Sequence, residues 1–260
     1  QFMVEQELDR AMAENNPSSI TAIVMDPKTG EILAMASRPS YNPNCFWDYP
    51  AENWKNRAVA FNYEPGSTFK AIVAGAALQE GIVTPNQVFY DPGYVMVSGR
   101  RIQNWSNESY GAVTFTDIVK NSLNTGFAQV GLSLGAEKLM HYTRVFGFGE
   151  KTGIDLPYEA EGLVPSREYK KKVYEDDWYL SETFDAAIGQ GFDLVTPLQA
   201  AAIMGAIAAN GDRYQPHLVQ RIVGPDGSTV ETIKPKRIGR LDVRPEVIAL
   251  VQQGLRDVTK

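Results

Sequence analysis

Two residues in this sequence, Ser67 and Lys70, have the types and spacing for nucleophilic chemistry. They lie three apart in the stretch Tyr63-Glu64-Pro65-Gly66-Ser67-Thr68-Phe69-Lys70. Behind them runs the small-residue apolar segment Ala71 to Glu80, closed by Gly81. Pro65 and Gly66 punctuate the entry and Gly81 is a left-handed stop, so the pattern predicts a helix with Ser67 in its first turn. Residues three apart share a helix face. A lysine ammonium sunk into an apolar helix start loses hydration, its pKa falls, and the neutral amine can take a serine proton. The positive end of the helix dipole favours negative charge at Ser67 and at a carbonyl that it attacks. A serine and a lysine at this spacing also arise by chance, as a helix cap beside a solvated lysine, so other residues must decide.

Ser122-Leu123-Asn124 pairs a hydroxyl with an amide in a turn expected between two helices. Beside Ser67 and Lys70, the Ser122 hydroxyl can relay a proton between the lysine and a leaving amine. The Asn124 amide can hold the lysine or a substrate amide. Alone, the triplet reads as a polar helix-end turn.

Composition removes several other chemistries. Cys45 is the single cysteine, so neither an internal disulfide nor a cysteine metal cluster is available. The two histidines, His141 and His217, lack ligand-type spacing, which argues against a metal site or a Ser-His-Asp triad. No metal and no cofactor is expected. A net charge of −6 argues against nucleic-acid binding and gives no polybasic membrane patch. The run Lys170-Lys171-Lys172, followed by Glu175-Asp176-Asp177, reads as a solvated loop. No stretch approaches the ~18 apolar residues of a membrane span, and no signal peptide begins the sequence. With 260 residues, 43% of them hydrophobic, the chain can bury an ample core.

The elements that must position these residues follow from periodicity and punctuation. Residues 1–16 read as a polar amphipathic helix. Segments 19–25 and 31–37 read as strands of a hairpin around Asp26-Pro27-Lys28-Thr29-Gly30. Residues 39–63 are expected to be irregular, with a short helix near Trp54, and residues 84–110 to be loops and short strands. Thr114 or Thr116 caps a helix over 115–121; further helices are expected from Phe127 to Leu134 and from Glu137 to Phe146. Residues 150–185 read as a long surface loop. Thr196-Pro197-Leu198-Gln199 is a capping box with proline at the first helical position, and it launches a helix that stops at Gly211. A second hairpin is expected around Gly224-Pro225-Asp226-Gly227, and a last helix from Arg244-Pro245-Glu246.

Together these segments resemble the transpeptidase domain of class B (monofunctional) penicillin-binding proteins. The resemblance rests on Asn56-Arg57-Ala58, Glu64-Pro65-Gly66-Ser67-Thr68-Phe69-Lys70 and Lys120-Asn121-Ser122-Leu123-Asn124-Thr125-Gly126-Phe127. It extends to Ile188-Gly189-Gln190-Gly191, Val195-Thr196-Pro197-Leu198-Gln199, Tyr214-Gln215-Pro216-His217 and the opening hairpin, all in the family's order. Serine-x-x-lysine and a serine–asparagine triplet are two of the three motifs of penicillin-binding proteins and class A β-lactamases. Here Leu123 stands where β-lactamases often carry Asp. The resemblance implies an α/β fold of the α+β type, an antiparallel sheet flanked by helices. It implies Ser67 as the acylated nucleophile, Lys70 as general base, Ser122 in proton transfer, and Asn124 binding the substrate or β-lactam side-chain amide. It also implies the Ser67 backbone N–H as half of an oxyanion hole. Trp105, in the loop before the second motif, is a candidate for lining the substrate groove, with a packed surface aromatic as the alternative.

The family's third motif is Lys-Thr/Ser-Gly on a strand at the edge of the site. Lys28-Thr29-Gly30 and Lys151-Thr152-Gly153 match as strings, but turn chemistry punctuates both, and neither is expected to be that strand. The resemblance places the true motif just beyond the helix that starts at Arg244. The expectation is therefore one transpeptidase domain over 1–260 that lacks the strand carrying the third motif, the membrane anchor and the pedestal. Little transpeptidation is expected unless those strands are supplied.

The implied function is a peptidoglycan D,D-transpeptidase that crosslinks stem peptides through a serine acyl-enzyme and is acylated by β-lactams. One alternative is a β-lactamase or D,D-carboxypeptidase on the same scaffold. For it no acidic residue can be placed as deacylation base, and Glu150 to Glu161 supply candidates by composition only. Another is a non-catalytic β-lactam sensor or scaffold domain. Implied partners are stem peptides, β-lactams and cell-wall synthesis proteins, with no nucleic acid. The implied location is the bacterial cell membrane, with the catalytic domain on its outer side.

Overall fold

The computed structural model describes all residues, 1–260. Helix α1 (Phe2–Asn15) buries only Leu8 and ends at Asn16, which adopts a left-handed conformation. Strands β1 (Ile20–Met25) and β2 (Ile32–Arg38) pair antiparallel across the Asp26–Gly30 turn. Two 3-10 turns (Pro43–Asp48 and Ala51–Trp54) precede the short α2 (Arg57–Ala60), capped by the Asn56 side chain. A 3-10 turn over Gly66–Phe69 then runs straight into α3 (Lys70–Gln79), buried along its whole length except at Gln79. Its small side chains let other elements approach on every side, which suits a central helix.

Strands β3 (Val88–Asp91), β4 (Tyr94–Val97), β5 (Arg100–Gln103) and β6 (Gly111–Thr114) form two antiparallel pairs, β3 with β6 and β4 with β5. Helix α4 (Phe115–Lys120) starts from a capping box between Thr114 and Asp117. Helix α5 (Asn124–Leu134) follows after a tight turn, and α6 (Ala136–Val145) starts beyond Gly135. Next come α7 (Arg167–Tyr174) and α8 (Leu180–Ala187). Helix α9 (Pro197–Ala208) carries the Thr196–Gln199 capping box. Strands β7 (Asp212–Tyr214) and β10 (Arg237–Arg240) pair with each other, as do β8 (Arg221–Val223) and β9 (Thr229–Thr232). Helix α10 (Pro245–Asp257) ends the order.

The chain folds into two compact units, each assembled from three segments. One comprises Gln1–Tyr63, Glu150–Gly162 and Val195–Arg240. In it the β1–β2 hairpin packs against α1, α2 and α9. Its core gathers Ala58, Val59, Ile154 and Leu198, with Ile23, Ile32 and Met35 against them. The other comprises Glu64–Gly149, Leu163–Leu194 and Leu241–Lys260. It is built around α3, which meets α5, α6 and α10, while α8 packs on α5. At that crossing a Cβ on Gly131 would sit 2.2 Å from the Ala187 Cβ, so glycine permits the approach.

Three local expectations need correction. Residues 150–185 are not a continuous loop, because α7 and α8 lie within them. Lys170 is not solvated: it is buried, and its ammonium is held by Glu182 at 2.5 Å and Asp176 at 3.0 Å. A helix is stable there because α8 buries Thr183, Phe184, Ala186 and Ala187. Helix α5 begins at Asn124 rather than Phe127, so the amide of the second motif belongs to the helix and not to the turn before it.

Candidate active site

The Lys70 side chain is the centre of the site. It opens α3 with only 4% of its surface exposed, and its ammonium donates to three acceptors. These are the Ser122 carbonyl oxygen at 2.9 Å, Ser122 Oγ at 3.0 Å and Asn124 Oδ1 at 2.6 Å. The Phe127 ring, one turn further along α5, stands 5.4 Å from Nζ. Burial lowers the lysine pKa to about 8, so a usable fraction of neutral amine exists near neutral pH. The neutral amine keeps two donors, for the Ser122 carbonyl and Asn124, and turns its lone pair toward a hydroxyl.

The turn that presents Ser122 is strained. Its φ of 51° lies in the left-handed region, which a residue with a side chain rarely adopts. That conformation aims both the carbonyl and the hydroxyl of Ser122 at one amine. The fully buried Leu123 anchors the turn. Asn124 is oriented from its other end, because Nδ2 donates to the Gln103 carbonyl at 3.0 Å and Oδ1 is thereby directed at Lys70.

Ser67 lies in the 3-10 turn immediately before α3, and its side chain is exposed. The Lys70 N–H donates to the Ser67 carbonyl, which fixes their spacing at one turn. The Ser67 hydroxyl takes no part in the bonds to the Lys70 amine, all of which go to Ser122 and Asn124. The structure thus brings Lys70, Ser122 and Asn124 into contact, with Ser67 one turn away and open to solvent. Trp105 is 75% exposed and its Nε1 donates to the Asn121 carbonyl at 3.4 Å, outside the lysine cluster. Of the two Lys-Thr-Gly strings, Lys28-Thr29-Gly30 forms the β1–β2 turn and Lys151-Thr152-Gly153 lies in a loop. Neither is in a strand.

Sequence reasoning missed the support beneath Ser67. Gly66, at φ 57°, donates its N–H to the Gly189 carbonyl at 2.8 Å. A Cβ on Gly189 would fall 2.2 Å from the Gly66 carbonyl oxygen, so only glycine fits there. Glu64 accepts the Gly191 N–H at 3.1 Å. Two residues on, Asp193 is fully buried and neither of its oxygens has a hydrogen-bond partner. Burial first, and the nearby Glu64 carboxylate second, push its pKa well above the carboxylate range. The Gly-Gln-Gly string marked this segment, but its contact with the Ser67 turn spans too much sequence for local pattern to show.

The family model "Penicillin binding protein transpeptidase domain" matches residues 20–260. The chain belongs to this family. Stage V sporulation protein D of Bacillus subtilis is 39% identical over 236 residues, covering 90% of this chain and 35% of that protein. Peptidoglycan D,D-transpeptidase MrdA of Escherichia coli K12 is 33% identical over 255 residues, covering 93% of this chain and 40% of that protein. The chain therefore spans little more than a third of the length of these curated relatives. The crystal structure of Pseudomonas aeruginosa PBP2 in complex with WCK 5153 superposes with a TM-score of 0.83 and 33% identity, over 100% of this chain and 58% of that one. The mixed α/β fold with antiparallel strand pairs is that of penicillin-binding transpeptidase domains.

Proposed function

We propose that this chain carries the acylation machinery of a peptidoglycan D,D-transpeptidase, with Ser67 as nucleophile and Lys70 as its base. The observation that carries the reading is the buried Lys70 amine, held by Ser122 and Asn124 one turn from an exposed serine. Neutral Lys70 takes the Ser67 proton as Oγ bonds to the peptide carbonyl carbon of a stem peptide. The carbonyl electron pair moves to oxygen, at the start of the helix, where the dipole and the Ser67 N–H favour the charge. As the pair returns, the C–N bond breaks and the departing amine receives the proton from Lys70 by way of Ser122. The amine of a second stem peptide then bonds to the ester carbon, the C–O bond to Ser67 breaks, and the amine's proton returns to Ser67 Oγ by way of Lys70, which completes the crosslink.

A β-lactam meets the same serine, and its carbonyl becomes the Ser67 ester as the ring C–N bond opens. Asn124 is assigned to the amide of the bound acyl group, and Trp105 to the groove wall. The reading assigns the substrate carboxylate to a Lys-Thr/Ser-Gly strand that neither Lys-Thr-Gly string provides. The relatives named for sporulation and peptidoglycan transpeptidation support a role in building cell wall; the reading adds a place on the outer side of the membrane and cell-wall synthesis proteins as partners. No helix here is long and apolar enough to cross a membrane.

Labelling with a fluorescent penicillin tests the assignment. Wild type is expected to retain one covalent label per chain, with none on Ser67→Ala and a rate at least ~100-fold lower on Lys70→Ala. Labelling that survives Ser67→Ala removes Ser67 from the mechanism. Rapid continuous turnover of a chromogenic cephalosporin, in place of one stoichiometric burst, moves the assignment to a hydrolase.

A further inference from the structure

A second buried charge lies behind the site and takes no part in the mechanism. Asp91, at the end of β3, is 1% exposed, and its carboxylate is saturated with donors. Oδ1 accepts from the Gly93 N–H at 2.9 Å and from Thr125 Oγ1 at 2.7 Å. Oδ2 accepts from the Tyr110 N–H at 3.0 Å and from Asn104 Nδ2 at 2.9 Å. Asn104, also 1% exposed, turns its Oδ1 to the Thr125 N–H at 3.3 Å. Burial alone would raise the Asp91 pKa, but the bonds from Thr125, Gly93, Tyr110 and Asn104 hold it below the usual carboxylate value. The carboxylate thus favours its charged form and meets the first turn of α5 through the Thr125 hydroxyl, at the end of the helix whose dipole favours negative charge.

Thr125 is the residue after Asn124, and Gln103 precedes Asn104. Two adjacent residues of one segment thus grip two adjacent residues of another: Asn104 holds Thr125, and the Gln103 carbonyl holds the Asn124 amide. We infer that Asp91 is a positioning residue: through Thr125 and Asn104 it keys the end of β5 to the start of α5, and so fixes the Asn124 amide that holds Lys70. The buried carboxylate reaches the amine in three steps, Asp91 to Asn104 and Thr125, then Asn124, then Lys70. From the other sides Lys70 meets only Ser122 and the Phe127 ring among the contacts described above. Releasing the grip lets the Asn124 amide rotate and water reach the amine, so the lysine moves back toward its solvated behaviour.

The inference rests on the acyl-transfer reading for its kinetic arm, and a spectroscopic arm stands apart from it. Thr125→Val removes one hydroxyl at constant shape, Asp91→Asn removes the charge, and Thr125→Ser keeps the donor. Two quantities are followed from pH 6 to 11: the second-order rate of penicillin labelling, and the 13Cε shift of Lys70 in 13C-lysine protein, assigned with Lys70→Arg. Thr125→Val and Asp91→Asn are expected to move both midpoints up by about one pH unit, which is about a tenfold slower reaction at neutral pH. Thr125→Ser is expected to follow wild type. If Thr125→Val lowers the melting temperature but leaves both midpoints and the neutral-pH rate unchanged, the network is structural only and the inference fails. If wild type is not labelled at any pH, the acyl-transfer reading fails, while the 13C titration still decides the positioning role.

Discussion

At the scale of single residues, the Lys70 amine makes the site titratable. With its pKa lowered to about 8 by burial, the reactive neutral form grows with pH up to that value and then saturates. Penicillin labelling is expected to rise about tenfold per pH unit below ~8 and to level off above it. A flat profile between pH 6 and 9 would rule out Lys70 as the base. The same shift has a stability counterpart. The folded value lies below the unfolded 10.5, so the unfolded chain binds more protons between about 8 and 10.5. Stability from this group therefore rises with pH across that window, and chemical denaturation at pH 8 and pH 10 measures it. Asp193 has the opposite sign. Its folded pKa is raised, so its contribution is complete at low pH and is lost as pH climbs above the ordinary carboxylate value. Asp193→Asn, neutral and nearly the same shape, is expected to raise the melting temperature at pH 8 by a few degrees and to leave it unchanged at pH 3, as differential scanning fluorimetry would read.

At the scale of elements, the site depends on helices that approach closely. Gly131→Ala would set two methyl carbons 2.2 Å apart where α5 crosses α8, so the helices must separate. The expected cost is about 1–3 kcal/mol in denaturant unfolding, with weaker penicillin labelling because α5 begins at Asn124. Elements with strong punctuation were legible in the sequence. The β1–β2 hairpin, the Thr196 capping box and the proline start of α10 stand where pattern places them, whereas α9 ends at Ala208, short of the expected stop at Gly211. The residues at 150–185 were not legible, because their signal is a run of charge. Lys170 looks solvated by composition but is buried through an ion pair with Glu182 that forms only once α7 and α8 have folded together. The lysine cluster was legible through its two motifs. Asp91, Asn104 and Gly189 were not, since each matters through a contact with residues far away in sequence.

At the scale of the whole molecule, the chain passes repeatedly between its two units, so neither is a contiguous piece of sequence. Residues 241–260 complete the unit that holds the site: Val247, Ile248 and Val251 of α10 are buried, and α10 packs on α3 and α4. Arg244 adds a polar lock, donating through Nη2 to the Leu78 and Gln79 carbonyls at the end of α3. A chain ended at residue 240 is expected to lose this cover, bind a hydrophobic dye and show poor dispersion in its amide NMR spectrum. Native-like dispersion would show that α3 needs no such cover.

The clasp of the 189–191 segment on the Ser67 turn also bears on how the protein is made. Glu64 and Gly191 are 127 residues apart, so at ribosomal speeds of about 5–20 residues per second the serine emerges roughly ten seconds before its support. Until then the turn has no partner for the Gly66 amide, and Ser67 is an ordinary alcohol on an unfinished chain. Nascent chains arrested before residue 189 should therefore ignore penicillin, and reactivity should appear only once the later segment has left the tunnel.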